Sequence, residues 1–201
     1  MKSYLENEAG SIAAICFMLG VTVLMLALST LTVYVNDYAA VVSNSDAIKA
    51  YYLAEMAAQE TLWELMETTE ALVLVYFSHL KQHKINYMRN VEKEIYEAYH
   101  PPVFNNYLES YLISHLSNFK KEAKNPFLDY SHPHRYESKL NYNAAESTIV
   151  IEGTGVYNNA RRRVKMEVKV PYQVQEGIDT YHLPSTVIYP PRISGYYQIV
   201  L

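Results

Sequence analysis

Four histidines of this chain have the spacing that could hold a metal ion. His79 and His83 are four residues apart, and on a helix that spacing places two imidazoles on one face. A zinc-protease helix also needs a glutamate beside the first histidine, whereas the run here is HLKQH. His132 and His134 flank Pro133 and could add ligands from a loop. Histidines on solvated helices and loops are commoner than ligands, so we predict neither a metal site nor a cofactor.

The spacings that mark common catalytic sites are missing from the sequence. The GTG segment at 153–155 falls in a predicted strand rather than in a phosphate-binding loop, and there is no Gly-x-Ser-x-Gly nucleophile elbow. The single cysteine, Cys16, lies in an uncharged run that offers no setting for a nucleophile. No spacing of carboxylates marks a pair as acid and base. We therefore predict that the protein is not an enzyme.

Arginine is concentrated in one place, at Arg161, Arg162 and Arg163, with Lys165 just beyond. This cluster could contact DNA or an acidic partner. It could equally be the solvated face of a strand, where charge blocks edge pairing. The whole chain carries 17 basic and 21 acidic side chains, a net charge of −4, which gives no general attraction to nucleic acid. We favour the solvated face and do not expect nucleic acid as a partner.

Residues 11–35 form the most distinctive segment of the chain, because these 25 residues carry no charge. A helix of that length spans about 38 Å, against a bilayer hydrocarbon core of about 30 Å. A soluble helix of this length normally shows a polar stripe, and this one shows none. The segment is too long, and its leader too acidic, for a secretory signal peptide. We predict a transmembrane helix.

The helix is predicted to continue beyond the membrane, since residues 21–100 contain neither glycine nor proline. Apolar side chains of this part recur at helical spacing and share one face: Ile48, Tyr52, Met56, Trp63 and Met66. We predict one helix from about Ser11 past Met66, with residues 36–67 as its amphipathic continuation.

Further helical patterns follow in residues 68–135, which we interpret as an inserted helical subdomain. One apolar face runs from Leu72 to Ile95 and ends before Pro101. A second amphipathic pattern runs over residues 104–119, and the KNP segment at 124–126 is expected to close it.

The apolar pattern changes to a period of two in residues 136–201. A short strand is predicted over 139–142, and two longer strands, 147–156 and 161–170, flank a YNNA turn. In the second of these, apolar and charged side chains alternate, which indicates a half-buried antiparallel strand. The tail, rich in tyrosine and proline, could add an edge strand over 188–201. Together with the helices, this predicts an α+β fold with a C-terminal antiparallel sheet.

Two segments resemble the PilX-type minor pilins and pseudopilins of type IV filament systems. NEAGSIAAICFML resembles the leader and start of that family, in which a charged residue and a glycine closely precede a long aliphatic run. The segment at 46–65 resembles its second signature, an aromatic residue followed by Ala-Glu-x-Ala, carried here by Tyr52, Ala54, Glu55, Ala57 and Ala58. The Gly-x-Gly hairpin at 147–170 resembles its C-terminal hairpin more weakly.

The resemblance implies a pilin-like fold and a leader, residues 1–10, that a prepilin peptidase removes between Gly10 and Ser11. Major pilins carry a glutamate at the fifth mature position, whose carboxylate can pair with a neighbour's terminal amine. Ile15 stands there in this chain. The resemblance thus favours a low-copy tip or initiation subunit over the repeating one.

In that family the N-terminal helix packs against other pilins, and for this chain the resemblance assigns filament-core packing to Ile15, Tyr52, Glu55 and Ala58. Its expected partners are other pilins or pseudopilins, the prepilin peptidase, the assembly platform of the cytoplasmic membrane and the lipid bilayer. The expected location is that membrane, with the domain outside the cytoplasm, and then a cell-surface filament. The alternative is an unprocessed single-pass protein with an extracytoplasmic binding or sensor domain.

Overall fold

The computed structural model describes residues 2–93, 98–116 and 119–200, and within them two α-helices precede seven strands. The helices are α1 (Lys2–Glu92) and α2 (Phe104–Leu116). The strands are β1 (Lys120–Lys124), β2 (His134–Asn143), β3 (Thr148–Tyr157), β4 (Ala160–Lys169), β5 (Tyr172–Ile178), β6 (Pro184–Tyr189) and β7 (Arg192–Val200). The chain divides into two compact units, Met1–Ser45 and Asp46–Leu201, and the second holds every one of these strands.

Helix α1 is longer at both ends than the predicted helix. It begins at Lys2, within the expected leader, and it ends at Glu92. Residues 67 and 68, the predicted boundary of an inserted subdomain, therefore lie inside one helix. The reason is that α1 contains no proline, and its two glycines, Gly10 and Gly20, cost only about 1 kcal/mol each in a helix.

The predicted helical subdomain, residues 68–135, is helical only in part. Its first stretch belongs to α1, and α2 ends at Leu116, well before the KNP segment. Strand β1 follows and pairs with β2, where Ala123 lies opposite Tyr136. Cross-strand pairing stabilises β1, and helical periodicity in a sequence carries no information about such contacts. Ile95, which the sequence places on a helical face of this region, lies outside the described residues.

Antiparallel pairing joins β1, β2, β3, β4 and β7, in that order, into one sheet in the described part of the chain. The predicted hairpin is confirmed as β3 and β4, with Tyr157 opposite Ala160 at its turn. Asn158 begins this turn with a φ of 52°, a left-handed conformation that asparagine adopts more readily than most residues. The expected alternation of β4 is also confirmed, since Val164 is buried and Lys165 is half exposed.

The tail after Pro171 forms three strands, β5, β6 and β7, rather than the single edge strand expected over 188–201. Pro190 and Pro191 separate β6 from β7, because proline has no N–H to donate to a ladder. β7 lies at the edge of the main sheet beside β4, whereas β6 pairs with β5 in a separate two-stranded ribbon.

The main core of the second unit lies between α1 and the inner face of the sheet. Its buried side chains from α1 and the sheet are Ala54, Ala58, Leu62, Leu65, Leu140, Ile149, Ile151, Val164, Met166 and Val168. The later part of α1 and helix α2 extend the same core with Tyr76, Leu80, Phe104, Leu108 and Leu112. In this part of α1 the sheet therefore covers one side of the helix.

Candidate membrane anchor and helix interface

The uncharged run of α1 meets the length and composition that a bilayer requires. In the most apolar part of this run no residue is buried against the rest of the chain, and Ile15 and Leu24 are more than half exposed. Four hydroxyls of this run are satisfied inside the helix: each of Thr22, Ser29, Thr30 and Thr32 donates to a carbonyl three or four residues earlier. A helix that satisfies its own polar groups can cross hydrocarbon, where an unpaired group is costly.

The predicted cleavage residues, Gly10 and Ser11, lie within α1. A side chain added at Gly10 would meet nothing within 4 Å, and the same holds for Gly20. Packing within the chain therefore requires glycine at neither position.

On its sheet side, α1 approaches β3 at backbone distance. A Cβ added to Gly153 would collide with the carbonyl oxygen of Ala54 and lie 3.1 Å from the Ala58 Cβ. A Cβ added to Gly155 would collide with the carbonyl oxygen of Ala50. The Gly-x-Gly of β3 and the small residues of α1 thus form one helix–sheet contact, which larger side chains on either element would open.

Three polar contacts also link the sheet-facing side of α1 to the sheet. Thr61 donates to the Ser138 Oγ at 2.6 Å, and both residues are buried. The Tyr136 hydroxyl donates to the Glu60 carboxylate at 2.8 Å. Burial, together with this hydrogen bond and the charge of Glu60, raises the pKa of Tyr136 to about 12. Lys121 adds an ion pair to Glu60 at 3.4 Å.

Edge strand β7 is tied to α1 through a tyrosine network. The hydroxyls of Tyr51 and Tyr196 lie 3.1 Å apart, and the Tyr196 hydroxyl also donates to Glu55 at 3.2 Å. Burial, followed by the contacts with Tyr51 and Glu55, raises the pKa of Tyr196. Glu55 therefore has an anchoring contact inside this unit.

The residues predicted to pack in a filament core do not share one surface in the second unit. Ala58 is fully buried against β3 and contributes to the fold itself. Glu55 is half-buried on the flank that binds Tyr196. Tyr52, one turn before Glu55, is 56% exposed and lies on the side of the helix away from the sheet. Of these three, Tyr52 alone is free to meet another chain, and whether it does so stays a prediction.

The apolar face predicted from Ile48 to Met66 is only partly free: Ile48, Tyr52 and Trp63 are exposed, whereas Met56 and Met66 pack against the core. Tyr52, Trp63 and Leu74 are 56%, 73% and 71% exposed, and they recur every 11 residues. Eleven residues are three turns of about 3.67 residues each, so the three side chains form a row along the helix. We call this row the outer stripe. This spacing is visible in the sequence, although Leu74 falls within residues 68–135, beyond the predicted amphipathic continuation.

The arginine cluster is divided by the pleat of β4. Arg162 pairs with Gly155, on the face of the sheet that α1 covers, whereas Arg161 and Arg163 alternate with it. Lys165 is bound to Glu167 at 2.8 Å, a contact that raises the pKa of the lysine. The predicted patch of four basic residues is therefore not one continuous surface.

The four histidines considered as metal ligands, His79, His83, His132 and His134, have contacts inside the protein. The His79 Nδ1 lies 3.0 Å from the Tyr107 hydroxyl, and the His83 ring packs against Tyr99. His134 is buried, and its Nε2 accepts a hydrogen bond from the Phe127 N–H at 3.1 Å. Among the described residues no group of three or more His, Cys, Asp or Glu side chains could hold a metal ion.

A lysine among aromatic rings is one site that the sequence did not indicate. The Lys49 Nζ lies 4.6 Å from the centre of the Tyr157 ring and donates to its hydroxyl at 3.2 Å. Hydrogen bonds with Ser131 and Lys49 lower the pKa of Tyr157. This contact joins α1 to the end of β3, some 108 residues away along the chain.

In comparisons with protein-family models, curated proteins and solved structures, nothing matches this chain.

Proposed function

We propose that this chain is a minor pilin or pseudopilin, a membrane-anchored assembly subunit of a type IV filament system. One observation carries the proposal. A single helix, α1, contains an uncharged segment of membrane-spanning length, and its later part holds a sheet on one side while exposing large apolar side chains on the other. A helix that is apolar on both sides requires a partner on the free side.

The proposed action is assembly rather than catalysis. The anchor is stored in the cytoplasmic membrane, with the sheet domain outside the cytoplasm. It is then extracted and packed against the helices of other pilin-like subunits by the assembly platform. The Gly–Ala contact between β3 and α1 supports this, because it keeps the domain fixed to the helix when the helix is pulled.

Ile15 supports a low-copy tip or initiation subunit. An isoleucine cannot pair with a neighbour's terminal amine, and no charge occurs elsewhere between Ser11 and Val35 to replace the missing carboxylate. A subunit at the tip has no earlier subunit above it, so it does not need that pairing.

A second candidate is an unprocessed, membrane-anchored binding or sensor protein. The observation that favours it is that α1 passes through Gly10 and Ser11 without interruption. A peptidase cuts an accessible, locally extended backbone, and a stable helix resists this.

The N-terminus of the native membrane protein separates the two candidates. Mass spectrometry should find Ser11 first if the leader is removed, and Gly10→Leu should leave the full-length form. Gly20→Leu is the matched control, since neither glycine has a packing neighbour within 4 Å. An intact N-terminus beginning at Met1 or Lys2 in the unmodified protein would exclude the processed pilin and favour the sensor.

A further inference from the structure

Two carboxylates beside the outer stripe of α1, those of Glu67 and Glu70, have no partner in the described part of the chain. Glu67 follows Trp63 by four residues and Glu70 precedes Leu74 by four, so all four side chains lie on one face of the helix. Both glutamates are exposed, and neither contacts a cation or a hydrogen-bond donor within residues 2–93, 98–116 and 119–200. The other glutamates on α1 between residues 50 and 66 are bound, as Glu60 is to Lys121.

This part of α1 carries acidic side chains but no lysine or arginine to balance them. No lysine or arginine occurs between Lys49 and Lys81. The free carboxylates therefore have no basic neighbour within their own helical face, where residues three or four positions apart meet.

We propose that the outer stripe binds a helix of a different chain, one whose apolar row is interrupted by lysine or arginine opposite Glu67 and Glu70. Large apolar side chains at regular helical spacing are the anchors by which one helix packs on another. Charged groups beside such a row select the partner and its register. This inference names the partner of the helix surface in the proposed function and rests on that proposal.

Two other occupants fit the chemistry less well. A second copy that runs in the same direction would bring Glu67 and Glu70 against the same carboxylates, and like charges in register repel. Lipid would have to accept two ionised carboxylates beside Trp63, and charged side chains in hydrocarbon are costly. A helix with both an apolar row and basic side chains would cover the exposed side chains of the outer stripe and pair with the free carboxylates.

Trp63 is the one tryptophan of the chain, so its fluorescence reports directly on the outer stripe. The probes are two synthetic helical peptides of about four heptads with the same leucine row. One carries two lysines facing Glu67 and Glu70, and the other carries two glutamates there. Each is titrated onto the full-length protein in lipid nanodiscs while the emission of Trp63 is recorded.

We expect the lysine peptide to shift the emission of Trp63 to shorter wavelength and to bind about tenfold more tightly than the glutamate peptide. Raising the salt from about 0.05 to 0.5 M should reduce this difference, because exposed charges are screened. Glu67→Lys with Glu70→Lys should reverse the preference. Asp129→Lys with Glu109→Lys makes the same charge change on other exposed positions and should leave the preference as it is.

Equal affinity for the two peptides, no change in Trp63 emission with either, or a reversal by the control variant would overturn the inference. The result is separable from that of the proposed function. A protein that keeps its intact N-terminus but prefers the lysine peptide contradicts the pilin proposal and leaves the interface standing. A processed protein with no charge preference contradicts the interface and leaves the pilin proposal standing.

Discussion

Gly153 of β3 lies so close to Ala54 of α1 that a methyl group on the glycine would meet the alanine carbonyl oxygen. Helix and sheet are therefore in contact through backbone atoms rather than through long side chains. A second close contact between the two backbones occurs two residues further along β3, where Gly155 lies beside Ala50. Four small residues thus determine which side of α1 remains free.

Gly153→Ala should destabilise the second unit by about 1–3 kcal/mol, because neither backbone can move without opening the core. Denaturant unfolding of the detergent-solubilised protein, followed by circular dichroism, measures the change. Gly195→Ala is the matched control: the atoms nearest its Cβ belong to the Tyr197 ring, an exposed side chain that can rotate away. Equal losses of stability for the two variants would contradict the backbone contact.

Leu24→Arg tests the membrane anchor. Leu24 lies near the middle of the uncharged run and is more than half exposed in the isolated chain. An arginine there should cost about 2.5–3.5 kcal/mol of insertion free energy and lower the membrane-bound fraction. Membrane fractionation with immunoblotting measures it, and Tyr38→Arg, outside the run, should have a smaller effect. Unchanged membrane association of Leu24→Arg would mean that this segment is buried in protein.

Alkaline pH should destabilise the contact between α1 and the sheet. The Tyr136 phenol has a pKa raised from 10.0 to about 12, so the fold favours its neutral form. Its contribution to stability is complete below pH 10 and is lost as the pH rises from 10 to about 12, where the unfolded phenol ionises first. Tyr136→Phe should flatten the fall in unfolding free energy over that range. An identical pH profile for the two proteins would show that Tyr136 does not contribute.

Ile15 leads to a prediction about copy number. A subunit without a carboxylate in its anchor should occur once or a few times per filament, and deleting it should lower the number of filaments without changing their diameter. Quantitative immunoblotting of sheared filaments gives the stoichiometry, and electron microscopy gives number and diameter. A stoichiometry near that of the major subunit is incompatible with a tip position, and Ile15 would then require a different packing of the filament core.

The sequence alone determined the features that depend on local composition and spacing. An uncharged run of 25 residues, the absence of proline from α1 and the alternation along β4 each predicted an element that the structure contains. Such features depend on the residue types within one segment, through helix propensity, hydrophobic transfer and the pleat of a strand.

The tertiary structure decided which of these elements meet and which surfaces they leave free. The sequence shows apolar residues on both sides of α1, at Tyr52 and at Ala54, and it does not say which side the sheet covers. Gly153 and Gly155 decide which side is covered. Their backbones pack directly against α1, and this close approach is possible only on the side of the helix that carries alanine side chains. The same close approach buries Ala58 and leaves Trp63 exposed, since a contact between backbones about 100 residues apart is a property of the folded chain and not of either segment.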